Sequence, residues 1–174
     1  MKNIAIFASG SGSNFEAIVH AINRGEINAK VSMLVCNKPK AKVISRAKRL
    51  GIPVNEDFSA ASLKEAGVAF IVLAGYMRIL SPEFVKAYEG RIVNIHPSLL
   101  PAFPGLHAIP KAYESGAKTT GVTVHYVDEG VDTGPIIAQE IVEILPGDTL
   151  ESLESKIHEV EHKLYISVLK ELFK

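Results

Sequence analysis

Two polar residues, Asn94 and His96, interrupt an apolar, β-branched run that has the length of a strand. Because side chains alternate across a strand, residues two apart point to the same face. Pro97 predicts the end of this strand, since proline cannot donate a backbone hydrogen bond to a sheet. A carboxamide and an imidazole at the carboxyl end of a strand suit a reaction in which negative charge develops on an oxygen atom. A histidine that only satisfies a turn is the structural alternative.

A third polar group, Asp132, lies in the loop between the last two predicted strands. An aspartate in a loop commonly bonds its own backbone, which is the structural explanation for Asp132 in isolation. Beside an imidazole, however, a carboxylate favours the charged form of the ring and fixes its orientation. His107 and His125 receive only supporting roles, and His20 is predicted to lie on a helix surface.

A run of six small polar residues, SGSGSN at positions 9–14, separates the first predicted strand from the first predicted helix. Glycines let backbone N–H groups approach an anion, and a helix N-terminus adds partial positive charge. A dinucleotide fingerprint would need a small residue at Phe15 and an acidic residue near Asn37, and a Walker A loop would need a lysine. The run therefore predicts a site for one phosphate monoester, with a tight turn that binds no ligand as the alternative.

The segment LAGYMRIL at positions 73–80 follows an unbroken apolar strand predicted at 68–74. An apolar turn that contains glycine, at the carboxyl edge of a sheet, can form a slot for a flat heterocycle. Packing in the core is an equally good explanation for Leu73 and Ile79.

A match to the HExxH pattern of zinc proteases lies in the last predicted helix, at His158 and His162. The spacing would place both imidazoles on one helix face. However, no third ligand follows, and the match lies in a helix rich in Lys and Glu, where it can arise by chance. We therefore expect no metal, although Glu161 on the polar face could meet a substrate.

Apolar runs of strand length alternate with helical patterns along the chain. Strands are predicted at 3–8, 30–36, 52–54, 68–74, 92–95, 120–127 and 136–143, and helices at 13–24, 41–50, 59–66, 81–88, 109–115 and 149–173. The last helix is predicted to begin with a capping box at 148–151 rather than at 149–152. This alternation predicts an α/β fold with a doubly wound, mostly parallel sheet, helices on both faces, and ligands beyond the carboxyl ends of the strands.

Length and composition indicate an ordinary globular chain, and 174 residues favour one domain over 1–174. The 19 basic and 19 acidic residues leave no net charge, so neither nucleic acid nor a membrane surface is an expected partner. A single cysteine, Cys36, excludes an internal disulfide and is predicted to be buried. Without a signal-peptide pattern or a long apolar stretch, the chain is predicted to be cytoplasmic.

Together these motifs resemble the glycinamide ribonucleotide formyltransferases, which use 10-formyltetrahydrofolate. The resemblance covers nearly the whole chain and rests on positions 9–14, 73–80, 94–101, 104–107, 121–125 and 132–135. It implies a Rossmann-like formyltransferase fold. It also implies that residues 1–90 form mainly the phosphate and ribonucleotide side, and residues 91–174 the catalytic and folate side.

The resemblance also implies roles for particular residues. The catalytic residues would be Asn94, His96 and Asp132. The substrate would be bound through its phosphate by Gly12, Ser13 and Asn14, and on its ribose side by Glu161. The folate would be bound by Met77, Arg78, Ile79, Leu80 and Asn94. The 55–67 segment is shorter than is usual in this family, and His158 stands where relatives can have an amide.

The implied reaction is direct formyl transfer to the amine of 5'-phosphoribosylglycinamide in de novo purine (IMP) biosynthesis. Asn94 and protonated His96 would stabilise the tetrahedral oxyanion. Asp132 would favour the imidazolium and assist proton transfer through water. The folate serves as co-substrate, no metal takes part, and a monomer or a homodimer is expected.

Three other functions fit parts of the sequence. Methionyl-tRNA formyltransferases share an NxHPSLLP-type segment, but they need a further RNA-binding domain and a basic surface, which we do not expect here. Formyltetrahydrofolate hydrolases are closer and typically carry an extra N-terminal domain. A non-enzymatic phosphometabolite sensor would use the glycine turn alone and would leave Asn94, His96 and Asp132 unexplained.

Overall fold

The computed structural model describes residues 1–174. Its strands are β1 (Lys2–Phe7), β2 (Ala29–Val35), β3 (Val54–Asn55), β4 (Phe70–Leu73), β5 (Ile92–His96), β6 (Thr119–Tyr126) and β7 (Ile136–Glu143). They form one sheet in the order β3-β2-β1-β4-β5-β6-β7. The first five strands are parallel, whereas β6 and β7 pair antiparallel with their neighbours. The predicted α/β class with a mostly parallel sheet is confirmed.

Six helices cover the two faces of this sheet. They are α1 (Ser13–Asn23), α2 (Lys42–Arg49), α3 (Ala60–Glu65), α4 (Pro82–Ala87), α5 (Ala108–Glu114) and α6 (Leu150–Leu172). Alternate residues of β1 point to opposite faces of the sheet. Ile4 and Ile6 pack in the cluster that contains α1, α2, α5 and α6. Ala5 and Phe7 pack in the cluster that contains α3 and α4. The central strand β4 is apolar and buried throughout, as expected where helices cover both faces of a doubly wound sheet. No helix has both the length and the apolar character that a membrane span requires.

The strand order places a crevice beside β1. The chain passes from β1 through α1 to β2 on one side, and it returns later to add β4 on the other side. In doubly wound sheets, ligands bind where the winding direction reverses, beyond the carboxyl ends of the strands. The loops after β1, β4 and β5 therefore meet at this edge.

Two element boundaries differ from the sequence prediction in instructive ways. The strand β5 extends through His96, one residue beyond the predicted end, so Asn94 and His96 both lie within the strand. The predicted capping box at 148–151 is wrong, because Thr149 caps α6 and exchanges hydrogen bonds with Ser152. The carboxylate of Asp148 is engaged by Lys156, which with the Leu145 N–H and Ser152 lowers the Asp148 pKa to about 2.

Gly12, the residue before α1, is fixed by both backbone conformation and packing. Its φ is +81°, in the left-handed region, and a Cβ there would lie 2.5 Å from Cγ2 and 2.9 Å from Cα of Val43 on α2. Only glycine therefore allows the turn after β1 to approach α2 this closely.

We predict that Gly12→Ala destabilises the protein by about 2–4 kcal/mol, because backbone strain and a clash with Val43 add together. Gly25→Ala is the matched control: its φ is +79°, but a Cβ there would meet nothing within 4 Å. The control should lose only about 1–2 kcal/mol of stability, because it has the backbone strain without the clash. Urea unfolding of both variants measures the difference, and equal losses would show that the contact with Val43 is unimportant.

Candidate active site

A cavity of about 520 Å³ opens at the carboxyl ends of β1, β4 and β5. Every site residue predicted from the sequence lines it. These residues are Gly12, Ser13, Asn14, Met77, Arg78, Ile79, Leu80, Asn94, His96, Asp132 and Glu161. The structure therefore brings together groups that are distant along the chain.

The imidazole of His96 is buried between two oxygen acceptors. Its Nε2 lies 2.8 Å from the carbonyl oxygen of Phe103, and its Nδ1 lies 3.5 Å from Oδ2 of Asp132. A carbonyl can only accept, so Nε2 must carry a hydrogen and Nδ1 is the nitrogen directed toward the carboxylate.

Asp132 does not bond its own turn. Its Oδ2 accepts a hydrogen bond from the Gly105 N–H at 2.7 Å, and its Oδ1 lies 3.7 Å from Nε2 of His125. Burial raises the pKa of the Asp132 carboxyl, but contact with His125, the Gly105 N–H and the charge of His96 outweigh burial and hold the pKa below its ordinary value. By contrast, Asp128 accepts from Gly130 and Thr133 in the same loop, as the structural explanation for a loop aspartate predicts.

Asn94 lies at the centre of the sheet, paired with Leu73 of β4 on one side and with His125 of β6 on the other. The sequence predicts only a supporting role for His125. In the structure His125 is buried beside His96 and Asp132. Its Nδ1 donates to the Tyr126 carbonyl at 2.8 Å, which directs Nε2 toward Asp132. His125 is two residues beyond Thr123 in an alternating strand, and this spacing is the signal that could have placed it here.

The loops around the site hold strained backbone. Phe103, His107 and Asp132 are the three non-glycine residues with positive φ, at +49°, +60° and +54°. Such conformations cost about 1–3 kcal/mol each and persist only when the surroundings impose them. Two of them, Phe103 and Asp132, supply the carbonyl and the carboxylate that face the His96 ring. The strained backbone therefore lies at the residues that hold the ring.

Polar side chains of β6 and β7 hold the 97–103 loop in place. The Thr123 hydroxyl donates to the Ser98 carbonyl at 2.7 Å and accepts from the Leu100 N–H at 3.1 Å. Gln139 donates to the Leu100 carbonyl at 2.9 Å and to Thr123 at 3.0 Å. The Ser98 hydroxyl lies 3.3 Å from the same Phe103 carbonyl that His96 uses. The loop also contains a cis bond between Leu100 and Pro101.

The glycine turn and α6 supply polar groups on the opposite wall of the cavity. Gly12 caps α1 without a side-chain hydrogen bond, and Oδ1 of Asn14 is buried with no partner. On α6, Glu161 is 6% exposed and accepts from Nδ1 of His158 at 2.7 Å.

The two histidines of the HExxH match have different surroundings. The hydrogen bond to Glu161 raises the pKa of His158, against a smaller opposing effect of burial. Burial lowers the pKa of His162, which does not line the cavity. The structure contains no group of three or more His, Cys, Asp or Glu side chains positioned to hold a metal ion.

Residues 2–169 match the family model for formyl transferases. The chain belongs to the formyltransferase family and is a formyltransferase enzyme.

Relatives within this family carry a more particular name. The chain is 50% identical to the phosphoribosylglycinamide formyltransferase of Bacillus subtilis, over 99% of this chain and 95% of the relative. The glycinamide ribonucleotide transformylase 1 of Geobacillus kaustophilus has a TM-score of 0.94 and 53% identity, with 100% of both chains covered. The phosphoribosylglycinamide formyltransferase of Bacillus halodurans has a TM-score of 0.93 and 54% identity, over 98% of this chain and 95% of that one. The resemblance predicted from the sequence is confirmed.

We predict that the pKa of the Asp132 carboxyl lies below its ordinary value, and that His125→Gln raises it, since contact with His125 is the largest favourable influence on the carboxylate. A pKa lowered by folding stabilises the folded state above the unfolded value, and this contribution is lost as pH falls through the folded value. Carbon-13 NMR of the side-chain carboxyls measures the titration. His20→Gln, on the surface of α1, is the control, and an equal shift in both variants would contradict the assignment.

Proposed function

We propose that this enzyme transfers the formyl group of 10-formyltetrahydrofolate to the amine of 5'-phosphoribosylglycinamide, a step in de novo purine (IMP) biosynthesis. One observation carries the proposal: Asn94, His96 and Asp132 converge in a cavity that has a glycine turn on one side and an exposed apolar loop on the other. The names of the relatives support the same pair of substrates.

The acceptor fits the wall formed by the glycine turn and α6. Backbone N–H groups of Gly12, Ser13 and Asn14 would bind the phosphate at the N-terminus of α1, where the helix dipole favours an anion. Glu161 would bind the ribose hydroxyls. Because His158 occupies one carboxylate oxygen of Glu161, the other remains available to a hydroxyl donor.

The donor fits the wall formed by the loop after β4. Met77 and Ile79 are 50% and 77% exposed, and Leu106 and Val131, also exposed and apolar, lie on the same rim. Apolar side chains concentrated at the mouth of a cavity mark a ligand surface. They would cover the flat pterin, with Arg78 and Leu80 completing this wall and Asn94 meeting the formyl group.

The chemistry is addition followed by elimination. The glycinamide amine attacks the formyl carbon, a C–N bond forms, and the carbonyl oxygen becomes anionic. The Asn94 carboxamide and the Nδ1–H of His96 would donate to that oxygen. Asp132 would hold the imidazolium and, through water, pass the proton lost by the amine to N10 of the folate as the C–N10 bond breaks. No covalent enzyme intermediate is needed.

We further propose that residues 1–174 act as one catalytic domain, with residues 1–90 mainly on the ribonucleotide side and 91–174 mainly on the catalytic and folate side. The single sheet, which contains strands from both parts, supports one domain. A monomeric or homodimeric state and a cytoplasmic location remain predictions.

We predict that Asn94→Ala and His96→Ala each lower kcat by about 10²–10³, because each removes one donor to the developing oxyanion. Both variants should remain folded by circular dichroism, since the removed side chains face the cavity. His20→Ala and Asn23→Ala, both exposed on α1, are the matched controls and should retain full activity. A site variant with a near-normal rate would remove that residue from the mechanism.

Consumption of 10-formyltetrahydrofolate tests the function itself. Loss of the formyl donor only in the presence of glycinamide ribonucleotide, with formylated ribonucleotide as product, is the expected result. Loss without the ribonucleotide would indicate a hydrolase, and loss only with methionyl-tRNA would indicate the tRNA enzyme. No loss with either acceptor would leave the sensor as the better explanation.

A further inference from the structure

One buried hydroxyl connects the ends of three neighbouring strands. Ser9, which follows β1 and is 3% exposed, donates from Oγ to Oδ1 of Asn37 at 2.5 Å. The same oxygen accepts the N–H of Met77 at 2.8 Å. The backbone N–H of Ser9 also donates to the Gly75 carbonyl at 3.1 Å. Asn37 follows β2, and Gly75 and Met77 follow β4, so Ser9 joins all three strand ends.

These contacts are the only hydrogen bonds that residues 75–80 make. Neither the backbone nor the side chains of this segment form any other, and the Tyr76 hydroxyl is buried without a partner. Tyr76 packs edge-on against Phe7. This apolar contact holds the side chain but does not fix the position of the backbone of the segment. The hydrogen-bonded position of the 75–80 segment therefore depends on one residue.

Asn37 sets the direction of this connection. A serine hydroxyl has one hydrogen and can accept with its lone pairs. Because the hydrogen is directed to Asn37, the lone pairs remain for the Met77 N–H. Replacing Asn37 would free the hydroxyl to rotate, and the bond to Met77 would weaken although Ser9 itself is unchanged.

The location of Ser9 gives this connection a consequence for binding. Ser9 immediately precedes the glycine turn at 10–14, and Met77 lies in the exposed apolar wall of the cavity. An anion that orders the glycine turn would order Ser9, and through Ser9 the 75–80 segment.

We propose that Ser9, held by Asn37, is a positioning residue that couples the two halves of the cavity, so that phosphate-bearing acceptor and folate bind with positive cooperativity. The inference rests on the proposed function, which assigns these ligands to the two walls. Binding that orders a shared element makes the second ligand bind more tightly, and the coupling is reciprocal.

The test is calorimetric titration of tetrahydrofolate, which carries no formyl group to transfer, with and without saturating glycinamide ribonucleotide. For the unaltered protein, we expect the ribonucleotide to lower the Kd of tetrahydrofolate at least threefold. Ser9→Ala should raise the Kd of tetrahydrofolate alone about tenfold and abolish the effect of the ribonucleotide. The Kd of the ribonucleotide alone should change less than twofold.

Two variants of Asn37 keep the test independent of any damage at Ser9. Asn37→Leu removes the acceptor and should reproduce the effect of Ser9→Ala, whereas Asn37→Asp keeps an oxygen acceptor and should hold the Kd of tetrahydrofolate within twofold of normal. Ser45→Ala, on the exposed face of α2, is the matched control. Hydrogen exchange at the Met77 amide should be faster in Ser9→Ala and Asn37→Leu only.

Three results would overturn the inference. Unchanged tetrahydrofolate binding and cooperativity in Ser9→Ala and Asn37→Leu would show that the connection does not position the loop. Equal weakening of both ligands would show a general structural role. Failure of the unaltered protein to bind tetrahydrofolate at all would instead overturn the proposed function, and the inference with it.

Discussion

The imidazole of His96 is held between the Phe103 carbonyl and the Asp132 carboxylate, and the site is arranged around this ring. The carbonyl can accept only from Nε2, which leaves Nδ1 to face the carboxylate and the cavity. An imidazole free to rotate would offer either nitrogen, with or without a proton. Because the Phe103 carbonyl fixes Nε2, Nδ1 is the one ring nitrogen left to donate toward the cavity, as stabilisation of an oxyanion requires.

Both residues that supply acceptors to His96 have strained backbone. Phe103 and Asp132 both have positive φ, and such a conformation needs support from surrounding contacts. The buried hydroxyl of Thr123 and the amide of Gln139 hold the loop that ends at Phe103. The Gly105 N–H reaches across to Asp132 and joins the two loops directly. Conformational energy is thus stored in the loops that surround the reacting atoms.

The position of the site in the fold could be predicted from the sequence, because it depends on the periodic pattern of apolar and polar residues. Strand alternation placed Asn94 and His96 on one cavity, and the succession of strands and helices predicted which loops meet at the carboxyl edge. The Phe103 carbonyl and the Gly105 N–H could not be predicted, because backbone groups do not distinguish one residue type from another, apart from the N–H that proline lacks. The capping box of α6 was mispredicted because the partner of Asp148 is Lys156, a full two turns into the helix. The side-chain role of Ser9 was missed because its partners, at 37 and 77, are far away in sequence.

The protonation of the two ring nitrogens of His96 tests the central claim most directly. Nitrogen-15 NMR of the protein, with His96 assigned by comparison with His96→Gln, distinguishes the two positions. We expect that the hydrogen of the neutral ring lies on Nε2, where the Phe103 carbonyl accepts it. A neutral ring with its hydrogen on Nδ1 would contradict it, because the Phe103 carbonyl would then face a lone pair and could not hold the ring.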